Sequence, residues 1–285
     1  MRIRTIVVVT AAALLLSAGA STASAQLDAA SEGRVVYGHH HLNVTDVAQH
    51  RHFWVEALGG TPTPIGAGEM FKFTNVLVFV TPREPEGGTK GTTVNHIGFW
   101  VPDVRAALAT VRDAGYPVVT REELPPSLEV VDDLAYIADQ DTYIAYVMGP
   151  DEVKVELVEN RGQASPVAMH HIHFDANDVD AMKAWYVEML GAEPGMRGSF
   201  QAADLPGVNL TWSPSSADLV GTQGRSLDHI GFEVDNLEAF CEDLAAKGVT
   251  FDRPYEVIEA LGLGIAFFTD PWGTYVELTE GLDEF

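Results

Sequence analysis

His39-His40-His41-Leu42-Asn43-Val44-Thr45-Asp46 returns later in the chain as His171-Ile172-His173-Phe174-Asp175-Ala176-Asn177-Asp178. Each copy runs into a helical stretch with a matching end, Trp54-Val55-Glu56-Ala57-Leu58-Gly59 and Tyr186-Val187-Glu188-Met189-Leu190-Gly191. A second pair sits between them, His96-Ile97-Gly98-Phe99-Trp100-Val101 and His229-Ile230-Gly231-Phe232-Glu233-Val234. In all four segments an Asp or Asn follows at the same distance from the histidine: Asp46, Asp103, Asp178 and Asn236. A glycine follows further on, at Gly59, Gly115, Gly191 and Gly248. A short polar side chain satisfies the free N–H groups that open a helix, and glycine tolerates the left-handed turn that closes one. Each segment therefore predicts a strand carrying histidine, then a helix of about three turns.

The remainder of each unit is rich in β-formers, as in Val76 to Val80, Tyr143 to Val147, Val153 to Val158, Gly207 to Trp212, Gly264 to Phe268 and Thr274 to Thr279. The chain thus reads as four β-α-β-β-β modules, an α+β fold. The interval from His39 to His171 nearly equals that from His96 to His229. This predicts a tandem pair of domains at 35–160 and 168–285, joined by a linker at 161–167. Each half is expected to close its own cupped mixed sheet.

Arg2 and Arg4 precede an apolar run from Ile6 to Leu16 and a small-residue stretch ending Ala23-Ser24-Ala25. This is the pattern of a cleavable signal peptide, 1–25, and too short a run for a spanning helix. A periplasmic or secreted mature chain is expected, with 26–34 as a leader and no membrane association after cleavage. The formal net charge of −24 becomes more negative when the two arginines leave. So acidic a protein repels phosphate backbones, which excludes nucleic acid as a partner. Cys241, the single cysteine, has no internal partner and is expected as an apolar filler on a helix.

Each half closes on a strand with one carboxylate, Lys154-Val155-Glu156-Leu157 and Tyr275-Val276-Glu277-Leu278. Two histidines and a glutamate from separate strands form a donor set that holds a divalent ion with positions left open. The expected sets are His39, His96, Glu156 and His171, His229, Glu277. One strand histidine is most simply a core residue; six ligand types at matching places in a repeat are not. By strand alternation His41 and His173 share the ligand face and are candidate proton carriers, whereas His40 and His170 face away. His50 and His52 are expected on a helix surface. The longer interval from His96 to Glu156 places an extra loop near Glu122 to Asp133.

The paired modules, the two HIGF segments and Asp270-Pro271-Trp272-Gly273-Thr274-Tyr275-Val276-Glu277 resemble the vicinal oxygen chelate (VOC) superfamily, which includes glyoxalase I, extradiol dioxygenases and bleomycin-resistance proteins. The resemblance implies a pair of VOC domains with two modules around each metal site. It also implies a divalent metal, one of Fe, Mn, Zn, Ni or Co, that chelates vicinal oxygens of a small-molecule substrate and acts as a Lewis acid or activates O₂.

Departures from the family pattern narrow the reaction. Glyoxalase I-like sites add a glutamate where this chain has Leu77 and Asn209. Extradiol dioxygenases add a histidine and a tyrosine; Tyr146 matches the tyrosine place, Phe267 replaces it in the other half, and the histidine is missing from both. The reading favours a lyase or isomerase, with an Fe(II) dioxygenase and a non-catalytic binding protein as alternatives. His171, His229 and Glu277 are expected to be the working site, with Asn209, Trp212, Tyr275, Arg197 and Tyr146 at the pocket. A homodimer is left open.

Overall fold

The computed structural model describes residues 27–28, 30, 35–66 and 68–285. The signal peptide expected at 1–25 and most of the expected leader lie outside the described residues.

All four modules are present. The first has strands Val35–Val44, Thr61–Ile65, Gly68–Phe73 and Val76–Pro82; the fourth has Leu227–Val234, Phe251–Ile258, Leu263–Thr269 and Tyr275–Glu280. Together they make one 8-stranded mixed sheet. The second module (Val94–Val101, Val130–Val131, Leu134–Ile137, Thr142–Met148, Lys154–Glu159) and the third (Ala168–Ala176, Glu193–Arg197, Phe200–Leu205, Val208–Pro214) make a 9-stranded one. At the centre of each sheet two histidine strands run antiparallel, His41 opposite His229 in one and His173 opposite His96 in the other.

The sheets therefore do not follow the expected halves, 35–160 and 168–285: each takes one module from either side of the linker. The short linker makes modules two and three neighbours, as consecutive elements usually are. That leaves modules one and four to pair with each other.

Helices cover the outer faces for the reason the spacing predicts. Asp46, Asp103 and Asp178 accept hydrogen bonds from the N–H groups of Ala48 (2.8 Å), Ala106 (3.0 Å) and Ala181 (3.0 Å). Gly59, Gly115, Gly191 and Gly248 all have positive φ. Asn236 departs from the expected cap: its own backbone is left-handed (φ 57°) and its side chain caps nothing. Glu280 takes over, accepting from Leu237 N–H at 3.1 Å. The first helix, Val47–Arg51, continues as a wider π turn over His52–Ala57, which buries Phe53 and Trp54. Each such side chain contributes roughly 1.5–3 kcal/mol by leaving water. Cys241 is buried on the helix Leu237–Ala246, as expected.

One continuous apolar core joins residues of both sheets, from Tyr37 and Phe232 to Phe99 and Phe174. Separate small clusters line the concave faces, with Met70, Leu77 and Ile265 in one and Ile144 and Tyr146 in the other. The loop expected near Glu122 to Asp133 holds the short helix Thr120–Glu123 and the edge strand Val130–Val131.

Candidate metal centres

Two donor clusters occupy the two concave faces, and each crosses the linker. The first is His39, His41, His229 and Glu277; the second is His96, His171, His173 and Glu156. Within each, one ligand atom per residue lies within 4.8 Å of the others. All six expected ligands are thus brought together, but in other company than the spacing predicts. His39 is not with His96 and Glu156, and His171 is not with His229 and Glu277, because the sheets join modules one with four and two with three.

In the first cluster His39 Nε2 and His229 Nε2 both lie 2.9 Å from the same oxygen, Glu277 Oε2. In the second, His96 Nε2 and His171 Nε2 lie 2.9 and 3.0 Å from Glu156 Oε2 and 3.2 Å from each other. Glycine makes this convergence feasible. His39 is registered opposite Gly231 and His171 opposite Gly98. A Cβ on either glycine would lie 2.0 Å from the histidine ring. The HIG sequences therefore supply both a ligand and the space for the opposite one.

Bulges set the flanking residues. Register shifts isolate Asp228 and Asn95 beside the ligands His229 and His96, and a bulge re-aims the side chain it releases. His229 Nδ1 lies 2.7 Å from Asp228 Oδ2, and His96 Nδ1 lies 2.8 Å from Asn95 Oδ1. Such partners fix the ring and its tautomer so that Nε2 faces the site. The matching polar residue before each HIG was the available signal for this pair. His41 and His173 do share the ligand face, and each is tethered through Nε2 at 2.7 Å, to Thr81 Oγ1 and Ser213 Oγ. Thr81 and Ser213 are separated by the same interval as His39 and His171, so the repeat carried this signal too.

The two clusters differ in charge. Burial opposes a proton on His229, but Asp228 and Glu277 together carry its pKa up to about 9. In the second cluster burial dominates: His96 falls to about 4, and His171 and His173 fall well below the ordinary imidazole range. Burial would raise Glu156 and Glu277, yet the histidines around them hold both well below the usual carboxylate range. In the second cluster neutral imidazole nitrogens converge on an ionised carboxylate, the donor chemistry a divalent cation requires; in the first, a bound cation would take the place of the proton on His229.

The remaining pocket residues divide. Tyr146 is opposite Glu156 in register, with its ring 5.2 Å from that of His96; Phe267 takes the same place opposite Glu277. Tyr275 packs edge-on to His229 at 5.6 Å, so it belongs to the first cluster. Asn209 lies beside His171, as Leu77 lies beside His39, and its amide is engaged by Asp204 and Thr211. Arg197 reaches within 3.9 Å of Glu156. Trp212 is a correction: it stacks on Phe174 and packs against the tilted ring of Tyr186 in the core, because it is one step out of phase with the cup-facing Asn209 and Thr211.

Two more histidines are placed differently from expectation. His170 does not face away; a register shift between Met169 and His171 frees it from alternation, and its Nδ1 lies 3.0 Å from that of His171. His50 is buried, held by Asp151 at 3.0 Å and by Trp54 N–H at 3.3 Å, since the helix turns it under the sheet. His40 lies apart from the clusters against Tyr37, and His52 is exposed, both as read.

Comparison with known proteins agrees with this architecture. Residues 128–278 match the Glyoxalase/Bleomycin resistance protein/Dioxygenase superfamily, and residues 38–130 match a second profile of the same superfamily. Glyoxalase I from Zea mays is similar in fold, with a TM-score of 0.67 at 18% identity over 88% of this chain and 94% of that one. A protein of Bacillus subtilis strain 168, assigned only provisionally as a dioxygenase, gives 0.60 at 14% over 88% and 86%. Among curated proteins none matches this sequence.

Proposed function

For a chain that belongs to the glyoxalase/bleomycin resistance protein/dioxygenase superfamily, we propose a divalent-metal-dependent enzyme that binds a small substrate through adjacent oxygens and catalyses a lyase- or isomerase-type proton transfer. The observation that supports it is the convergence, twice over, of two histidine Nε2 atoms on one glutamate oxygen. His39, His229 and Glu277 would hold one ion, and His96, His171 and Glu156 another. A divalent ion bound there would act as a Lewis acid toward substrate oxygens.

The chain's own residues supply the rest. Leu77 and Asn209 stand where a fourth carboxylate would otherwise serve as base. Proton transfer then falls to His41 and His173, which are neutral, tethered through Nε2, and adjacent to the donors. Nδ1 of His173 is buried with no partner, so it is free to take a proton. Largely apolar walls beside the first cluster, including Ile65, Phe79 and Phe267, line a cavity of about 310 Å³, room for a small molecule.

Tyr146 beside His96 and Glu156 favours a second reading for that cluster, an Fe(II) dioxygenase. Oxygen uptake with catechols on Fe(II)-loaded protein separates the two. The pattern at 1–25 supports export, which fractionation of the producing cells tests; no described helix is long and apolar enough to cross a membrane. Metal analysis of the purified chain tests the central proposal: two divalent ions per chain are expected, falling to one in His229→Ala. No ion above trace in either protein overturns it.

A further inference from the structure

Arg197 is a charged residue of the second cup whose counterpart in the first is uncharged. Its side chain is 12% exposed, and its Nε and Nη1 are buried with no hydrogen-bond partner. Among the described residues the one carboxylate in ion-pair range is Glu156, at 3.9 Å from Nη2. That carboxylate is already occupied by His96 and His171 at closer range. A guanidinium stays charged at any ordinary pH and offers five donors in a fixed fork. Leaving two of them buried and unmet is costly unless an acceptor arrives.

The internal repeat supplies a control within the same molecule. Arg197 ends the strand Glu193–Arg197, and Ile65, its counterpart in the first module, ends the equivalent strand Thr61–Ile65. Ile65 lines the apolar cavity of the first cluster. Arg197 stands against the second cluster through Glu156; it also borders a depression of about 640 Å³ with Trp100, His170, Asn209, Asp28 and Asp204, which none of that cluster's four donors lines. The first cavity has an arginine of its own, Arg253, but that side chain is 49% exposed and paired with Glu256. Identical ligand sets thus stand beside an isoleucine in one cup and an unmet guanidinium in the other.

We propose that Arg197 is a carboxylate-binding residue, and that the second cup selects small oxygenated acids whereas the first takes uncharged substrates. The proposal rests on the metal-site reading for where the substrate lies, but the anion contact itself needs no metal. The fork of Arg197 pairs with a carboxylate through two parallel N–H···O bonds, which discriminates a carboxylate from a ketone of the same size.

Pyruvate and 2,3-butanedione provide that comparison, since both carry adjacent oxygens and a methyl group and only pyruvate is charged. Ligand-observed NMR titration of the mature chain, zinc-loaded and metal-free, against Arg197→Ile and Arg197→Lys gives the test. Pyruvate is expected to lose at least tenfold in affinity in Arg197→Ile, in both metal states, while butanedione changes less than twofold. Arg197→Lys, which keeps the charge without the fork, is expected to fall between and guards against a folding defect in the isoleucine variant. Equal losses for both ligands, unchanged pyruvate affinity, or no pyruvate binding by the wild type would each overturn the proposal. Failure of the protein to take up zinc would instead count against the metal reading, with the metal-free titration still deciding the role of Arg197.

Discussion

The ring of His39 lies over Gly231 so closely that a Cβ there would sit 2.0 Å from it, and His171 stands in the same relation to Gly98. A single methyl group on either glycine must therefore move a ligand. Gly231→Ala is predicted to lower the metal content by one equivalent per chain while leaving the second cluster loaded. Gly98→Ala should do the reverse. Metal analysis with thermal melting distinguishes this from general unfolding, in which both equivalents would go together.

Asp228 and Asn95 occupy the same bulge position, and only the first is charged. Asp228→Asn should lower the pKa of His229 from about 9 toward the depressed values of the second cluster. The raised folded value means that this group stabilises the fold fully below the unfolded imidazole pKa of about 6.5. The contribution is lost as pH rises through 9. The ring-nitrogen titration, followed by NMR in metal-free protein, should shift downward in the variant. An unchanged curve would mean that Asp228 does not hold the proton.

Glu233 gives a pH effect away from the clusters. It accepts from Thr279 Oγ1 and from the N–H groups of Gly281 and Leu282, yet burial pushes its carboxyl up to about 7. Its stabilisation is complete below the unfolded glutamate pKa of about 4.3 and fades as pH rises through 7. A Glu233→Gln variant keeps an acceptor for the backbone. Its melting temperature should decline less than that of the wild type between pH 5 and pH 8, about the range the shift spans.

The repeat and its caps were legible because the physics behind them is local: strand period, N-cap chemistry and the glycine left-handed turn. The six ligands were legible for the same reason. Which modules pair was not, since the offset between the halves is the same whether His39 meets His96 or His229. The parity that places Trp212 with Leu210 in the core was present in the sequence and decides against a pocket role. His170 was beyond reach, because a bulge breaks alternation without a residue type that announces it, whereas Asp228 and Asn95 left a signal in the polar residue before each HIG. Arg197 needed the depth of its burial and its missing partners to be known before its charge meant anything.

The central claim is that each metal centre is assembled across the linker, one module from each half. Metal stoichiometry in two double variants tests it most directly. His39→Ala with Glu277→Ala removes two ligands of one centre and should leave one equivalent per chain. His39→Ala with Glu156→Ala strikes both centres and should leave none. The opposite pattern, no metal in the first pair and one equivalent in the second, would contradict the account.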